Sequence, residues 1–305
     1  MKIYDRFGRP IENLRIVITT ECNYHCIFCH SEGYYHCLRE PSLRLSAEDI
    51  RYIGIVARRF EIDAVKITGG EPLLHPQILD IISTLRSLGF RDISLVTNGS
   101  LLSEYASKLK ECGLTRINVS LVSLRESRYE FVTRTRNMLP KVLEGIKQAV
   151  EVGLSPVKIN VVVLRGINDD ELFDFIEFAR KNDVAVQFIE YHSPSSEDEF
   201  FKRFYRPLDD LQEYLESNAE KITIRRMHNR RRYLVEGVEI ELVRPMFNSN
   251  FCRNCIRIRA TPTGWKPCLL RNTIVEYLED LRAADLRRIA GKFIEAIHIR
   301  TPFFE

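Results

Sequence analysis

From residue 14 to about 190, short runs of β-branched and apolar residues alternate with longer segments whose apolar positions recur every three or four residues. The runs 14–19, 64–68, 92–96, 115–120, 157–163 and 184–189 predict six strands. The segments between them carry helix signals. Ser46 stands as an N-cap three residues before Asp49, and Ile50, Ile53, Val56 and Ala57 then form an apolar stripe. Leu88-Gly89, Cys112-Gly113 and Val152-Gly153 each close a helix before the next strand. Strand alternating with helix predicts βαβ units on a parallel sheet, as a partial barrel or a doubly wound sheet, with chemistry at the strand ends that lead into the helices. From about Pro207 the repeat stops. A helix is followed by short strands at 222–227, 233–235 and 238–243, so the pattern divides the chain loosely near 220, with 221–305 as an extension packed on the repeat.

The chain has 305 residues, 45% hydrophobic and 29% charged, enough to bury a large core and unlike a disordered or fibrous sequence. Its 45 Lys+Arg against 42 Asp+Glu leave a net charge of +3. The excess is spread along the chain apart from Arg225, Arg226, Arg230, Arg231 and Arg232, which excludes a bulk polycation. No apolar run approaches the roughly 20 residues of a membrane span. The N-terminal residues Met1 to Arg6 hold no apolar core of a signal peptide, so a cytoplasmic location with reduced thiols is expected.

In that setting eight cysteines read as metal ligands or reactive thiols before disulfides. Cys22, Cys26 and Cys29 form C-x3-C-x2-C directly after the first strand, and Cys252, Cys255 and Cys268 form C-x2-C-x12-C near the end. Cys37 and Cys112 stand alone and read as dispensable. Three thiolates in one tight loop suit an iron–sulfur cluster with one iron left open; a zinc site completed by His25, His30 or Cys37 is the alternative, as is a zinc ribbon for the second triplet. Arg257 and Arg259, two apart, share one face of an extended strand beside the second triplet, as a polyphosphate site would need, or else form a solvated edge. The same period of two groups Arg15 with Val17 and Thr19, Lys66 with Thr68, and Lys158 with Asn160. Cations within apolar strands are costly to bury unpaired, so if these faces line a barrel interior a phosphorylated substrate would supply the pairing; outward-facing residues are the other reading.

C-x3-C-x2-C after strand one, Thr68-Gly69-Gly70-Glu71-Pro72 after strand two and Thr97-Asn98-Gly99 after strand three resemble the radical S-adenosylmethionine (SAM) superfamily. The resemblance implies a partial (β/α)6 barrel of the TIM type with a C-terminal α+β extension. It also implies a 4Fe–4S cluster on Cys22, Cys26 and Cys29 that binds SAM, with Gly70 at its amino acid moiety, Ser120 at the ribose and Phe28 near the adenine. Nearly the whole chain is similar to the GTP 3′,8-cyclases of molybdenum cofactor biosynthesis. The similarity runs through Asp5-Arg6-Phe7-Gly8-Arg9-Pro10, Leu14-Arg15-Ile16, Cys29-His30-Ser31-Glu32-Gly33 as in archaeal-type members, Ile159 to Val163 and Gly166-Ile167-Asn168-Asp169-Asp170.

This resemblance implies a second 4Fe–4S cluster on Cys252, Cys255 and Cys268 in residues 221–305, apart from the first in 1–220. It implies GTP contacts at Arg15, Lys66, Thr97, Lys158, Arg257 and Arg259, and no catalytic residues beyond the cofactor ligands. The implied reaction abstracts hydrogen from ribose C3′, joins C3′ to guanine C8 and yields 3′,8-cyclo-7,8-dihydro-GTP. The expected partners are GTP, a reductase or other electron donor, and a downstream cyclic pyranopterin monophosphate synthase, with no nucleic acid or membrane and a monomer or homodimer. The chain departs from the family in having His192 where a methionine usually contacts SAM and Lys66 for a common arginine. Cys255 and Cys268 enclose one residue fewer than usual, and the chain ends Arg300-Thr301-Pro302-Phe303-Phe304-Glu305 in place of Gly-Gly, its aromatics expected to pack at the barrel mouth. The competing readings are another radical SAM enzyme acting on a peptide or tetrapyrrole, and a zinc-stabilised nucleic-acid-binding protein using Arg225 to Arg232, which the charge balance and the lack of interleaved aromatics disfavour.

Overall fold

The computed structural model describes residues 1–30, 43–193, 198–246 and 248–303. Strands and helices alternate as β1 (Asn13–Val17), α1 (Ala47–Arg59), β2 (Ala64–Thr68), α2 (Ile78–Ser87), β3 (Asp92–Thr97), α3 (Leu102–Glu111), β4 (Arg116–Ser120), α4 (Glu126–Thr133), α5 (Leu139–Glu151), β5 (Val157–Val163), α6 (Leu172–Asn182) and β6 (Ala185–Glu190). All six expected strands form, within about two residues of their predicted ends. The remainder supplies α7 (Glu199–Phe204), α8 (Asp209–Asn218), β7 (Lys221–Arg225), β8 (Arg230–Val235), β9 (Val238–Val243), α9 (Ser249–Arg253), β10 (Arg257–Ala260), β11 (Gly264–Lys266), β12 (Val275–Glu276), α10 (Leu278–Arg282) and α11 (Leu286–His298).

β1 to β6 lie side by side in chain order and pair in parallel, so the sheet is a partial barrel; a doubly wound sheet would reverse its strand order midway. The segment after residue 220 extends both edges of this sheet. β9 joins β6 in parallel and carries β8 and β7 as an antiparallel meander, while β10 joins β1 in parallel and carries β11 and β12.

The period of two decides what each face meets. Leu14 and Ile16, Val65 and Ile67, Ile117 and Val119, and Ile159 and Val161 are buried in the core, which α1 to α6 complete from the outside. The intervening Arg15, Lys66, Asn118, Lys158 and Asn160 face the other way, into an interior cavity. Local signals set the helix ends. Ser46 and Asp49 form a reciprocal capping box on α1, and Gly89, Gly113 and Gly153 take φ of 84°, 103° and 74° after α2, α3 and α5. No helix among the described residues is long and apolar enough to cross a membrane.

Candidate active site

A cavity of about 740 Å³ opens along the inner face of the sheet. Every cluster, SAM and GTP residue that the resemblance implies lines it: both cysteine triplets, Phe28, Gly70, Ser120 and His192, and Arg15, Lys66, Thr97, Lys158, Arg257 and Arg259. Cys37 lies outside the described residues, as do Ser31, Glu32, Gly33, Phe304 and Glu305. Cys112 is the C-cap of α3 and is not among the residues that line the cavity.

The first triplet sits in the loop after β1, held from two sides. The His25 and Ile27 amides donate to the carbonyls of Thr133 and Val132 at the end of α4. On the other side the Gly70 amide donates to Thr19 O at 2.8 Å and the Glu71 amide to Glu21 O at 2.7 Å. A Cβ on Gly70 would come within 2.1 Å of Glu21 O, so the glycine is required by its approach to the cysteine loop itself. Glu71 is buried beneath the loop. It accepts from Thr97 Oγ1 (2.7 Å), the Asn98 amide (2.7 Å) and the Leu73 amide (2.9 Å), yet burial still pushes it up to about 7. Thr97 is therefore committed to Glu71 while lining the cavity.

Burial likewise pushes the Cys22 thiol up to about 11 and raises Cys26. Cys255 is enclosed too, but Arg300, the Arg257 amide and the charges of Arg257 and Arg259 outweigh burial and lower it. Three soft thiolates on one loop suit an iron–sulfur cluster, which gives each thiolate its own iron.

Between the triplets the wall is cationic. Arg9, Arg15, Lys66, Arg116, Arg134, Lys158, Arg225, Arg230, Arg257, Arg259, Arg271 and Arg300 line the cavity, and no aspartate or glutamate among the described residues does. Strand register gathers them: Arg259 stands opposite Arg15, Arg15 opposite Lys66, and Asn118 opposite Lys158. Lys66 Nζ donates to Asn118 Oδ1 at 2.7 Å, and Arg257 Nε to Asn13 Oδ1 at 2.8 Å. Enclosure first, and then the charges of Arg116, Arg15, Arg257 and Arg225, drive the Lys66 ammonium well below its ordinary range.

Lys158 differs from the expectation that a substrate would supply its counter-charge. Its Nζ lies 3.0 Å from both Glu239 Oε1 and Glu241 Oε2. The fully buried Glu241 also faces Arg225 at 3.5 Å and Arg230 at 3.2 Å, the latter an ion pair without hydrogen-bond alignment. Burial would raise Glu241, but Arg230, Lys158 and Arg225 hold it at about 2.

Sequence reasoning missed several of these residues. Arg116 shares the inward face of β4 with Asn118 and Ser120, so period two could have found it. In sequence Arg225 and Arg230 belong to a single basic run, Arg225 to Arg232. The structure splits that run, turning these two inward while Arg226 pairs with Glu12, Arg231 with Glu216 and Arg232 with Glu239 outside the cavity lining. The tail enters the site as expected for Phe303, which lines the cavity with Arg253 5.8 Å from its ring centroid. His192 packs against His30, ring centroids 4.9 Å apart.

Comparison with known proteins agrees with this architecture. Residues 16–179 match the radical SAM superfamily and residues 184–305 the family described as Molybdenum Cofactor Synthesis C. The chain is 42% identical over 308 residues to a probable GTP 3′,8-cyclase of Methanothermobacter thermautotrophicus, covering 100% of this chain and 99% of that protein. It is also 42% identical over 312 residues to a probable GTP 3′,8-cyclase of Thermococcus kodakarensis, covering 99% and 100%. Among solved structures, Streptococcus suis SuiB bound to its precursor peptide SuiA superposes with a TM-score of 0.68 at 16% identity over 95% of this chain and 68% of that one, a likeness of fold. With the strand order, the loop-borne thiols and full-length identity of this degree in agreement, the chain belongs to the radical SAM superfamily and, within it, to the GTP 3′,8-cyclase family.

Proposed function

We propose that this protein is a GTP 3′,8-cyclase that converts GTP to 3′,8-cyclo-7,8-dihydro-GTP for molybdenum cofactor biosynthesis. One observation carries the reading: a single cavity with a thiol triplet at each end and a wall of arginines and lysines that, among the described residues, has no lining carboxylate. Cys22, Cys26 and Cys29 would hold the 4Fe–4S cluster that binds SAM, with Gly70, Ser120, Phe28 and His192 around the SAM, and Cys252, Cys255 and Cys268 a second 4Fe–4S cluster beside the guanine. The chemistry these groups supply when bound is reductive cleavage of SAM and hydrogen abstraction at ribose C3′, followed by closure on guanine C8.

The chain's own residues position and protect. Arg15, Lys66, Arg257 and Arg259 bring forked and point charges to one stretch of wall, where a triphosphate relieves their mutual repulsion and is held by charge-assisted bonds. Thr97 reaches the same space from β3. Lys158, already neutralised by Glu239 and Glu241, holds the far wall in shape and offers a donor rather than an uncompensated charge. The apolar and aromatic lining around the loop thiols, from Tyr24, Phe28 and Tyr191, keeps water from the reacting carbon. An external one-electron donor, a downstream cyclic pyranopterin monophosphate synthase and a cytoplasmic location complete the reading, with residues 1–220 as the core that carries the first cluster and 221–305 as the extension that carries the second. Anaerobic incubation with GTP, SAM and a reductant tests it: cyclised product with one 5′-deoxyadenosine per turnover is expected. SAM cleavage without cyclised GTP would overturn it.

A further inference from the structure

One buried polar network takes no part in radical generation or phosphate binding as described above. Asp5, Arg9 and Arg300, from the two ends of the chain, are 5%, 7% and 3% exposed. Asp5 Oδ1 accepts from the Phe7 and Arg9 amides at 3.0 Å each, which fixes the N-terminal turn. Asp5 Oδ2 accepts from Arg9 Nε at 2.7 Å and lies 3.1 Å from Arg300 Nη1, a charge contact rather than an aligned hydrogen bond.

The two guanidinium groups direct their other donors at main-chain carbonyls. Arg9 Nη1 donates to Cys252 O at 2.9 Å and to Pro302 O at 3.0 Å, and Arg9 Nη2 to Thr301 O at 2.6 Å. Arg300 Nη2 donates to Cys255 O at 2.5 Å. One carboxylate thus orients two cations that grip the backbone of two second-triplet cysteines, and Arg9 grips the C-terminal tail as well. A main-chain carbonyl moves with the peptide plane that carries its cysteine, so these bonds set where the two thiols point. Within a buried network the bonds are also interdependent, because a donor that loses its acceptor must reorient or stay unsatisfied.

We propose that Asp5, Arg9 and Arg300 are positioning residues that hold Cys252 and Cys255 in cluster-binding geometry and couple that geometry to the seating of residues 301–303. The proposal rests on the reading of Cys252, Cys255 and Cys268 as a cluster site. It gives this chain's tail a role distinct from contact with substrate: Thr301 O and Pro302 O complete the coordination of Arg9, and Arg9 in turn holds Cys252.

The test uses the full chain with C22A, C26A and C29A, so that bound iron reports on the second triplet alone. After anaerobic reconstitution, iron and sulfide content, the electron paramagnetic resonance spectrum of the reduced cluster and the rate of iron loss to a chelator are measured. Deletion of residues 301–305 and R9Q are each expected to speed iron loss about tenfold, the scale of one lost charge-assisted hydrogen bond, and to shift the spectrum. Combining them should add little, and R9K should restore part of the spectrum. Unchanged iron loss after the tail deletion overturns the proposal even if R9Q fails to fold, and so do fully additive effects. Absence of iron from the parent chain would overturn the cluster reading and the proposal with it, whereas iron in the parent with indifferent variants overturns the proposal alone.

Discussion

Individual side chains make the sharpest predictions. Arg257 and Arg259 stand beside Arg15 on a wall that, among the described residues, has no lining carboxylate. Replacing either by Ala should weaken GTP by roughly 1.5–3 kcal/mol, the range for hydrogen bonds to charged groups, and guanosine far less. Calorimetric titration of both ligands checks this, and equal losses would move the arginines away from the phosphates. Glu241 offers a test by pH. Its ordinary value of 4.5 falls to about 2 in the fold, so the unfolded chain binds the proton more tightly. The stability Glu241 lends is therefore complete above about pH 4.5 and is lost as pH falls toward 2. Glu241→Gln leaves Lys158, Arg225 and Arg230 without their shared partner and should cost about 3 kcal/mol near neutrality. Urea unfolding at a series of pH values should show the gap between wild type and variant closing through the acid range; a constant gap would mean that the charge is not what matters.

The elements show which sequence signals bind tightly to structure. The capping box at Ser46 forms as written, and Ser46→Ala should cost α1 about 1 kcal/mol in thermal or denaturant unfolding. The β10–β11 hairpin is different, because the shortened spacing between Cys255 and Cys268 falls on it and carries no local signal of what it packs against. It is a core element. Trp265 is fully buried, crosses Tyr277 and Phe293 edge-on and donates from Nε1 to Ile289 O at 3.2 Å. Gly264 lies so close to β12 that a Cβ would meet Val275 O at 2.4 Å. Trp265→Ala should cost roughly 3–5 kcal/mol. Since Cys268 follows β11 directly, the same variant should also lose iron from the second triplet while the first keeps its own, which metal analysis beside a melting curve would show.

At the scale of the whole molecule, two thiol triplets more than 200 residues apart in sequence meet across one cavity because β10 pairs with β1, the strand that leads into the first triplet. Their separate loops predict separable losses. Replacing Cys22, Cys26 or Cys29 by Ala should abolish SAM cleavage and leave iron at the second triplet; Cys252→Ser or Cys268→Ser should keep SAM binding but give no cyclised product from GTP. Iron analysis with product identification distinguishes these, and normal cyclisation by Cys268→Ser would remove the second triplet from the reaction.

Much of this was legible in the chain alone. The β-branched runs, the period of two and the glycine and serine punctuation are local, governed by sterics and hydrogen bonds within a few residues, so six strands, the residues that share each face and the loop-borne triplet could be read directly, while which face turns inward stayed open. Arg15, Lys66 and Lys158 turned inward because alternation on a half-buried strand leaves a cation only the face away from the helices. Long-range pairing was not legible. Nothing local tells Arg225 and Arg230 from Arg226 and Arg231, since the division depends on β9 placing Glu241 beneath them, nor that Glu239 and Glu241 already neutralise Lys158. The union of Asp5, Arg9 and Arg300 with the carbonyls of Cys252 and Cys255 joins both chain ends through backbone groups that every residue type carries. Side-chain identity encodes propensity and charge; which charges share a cavity is decided by the sheet order that closes the fold.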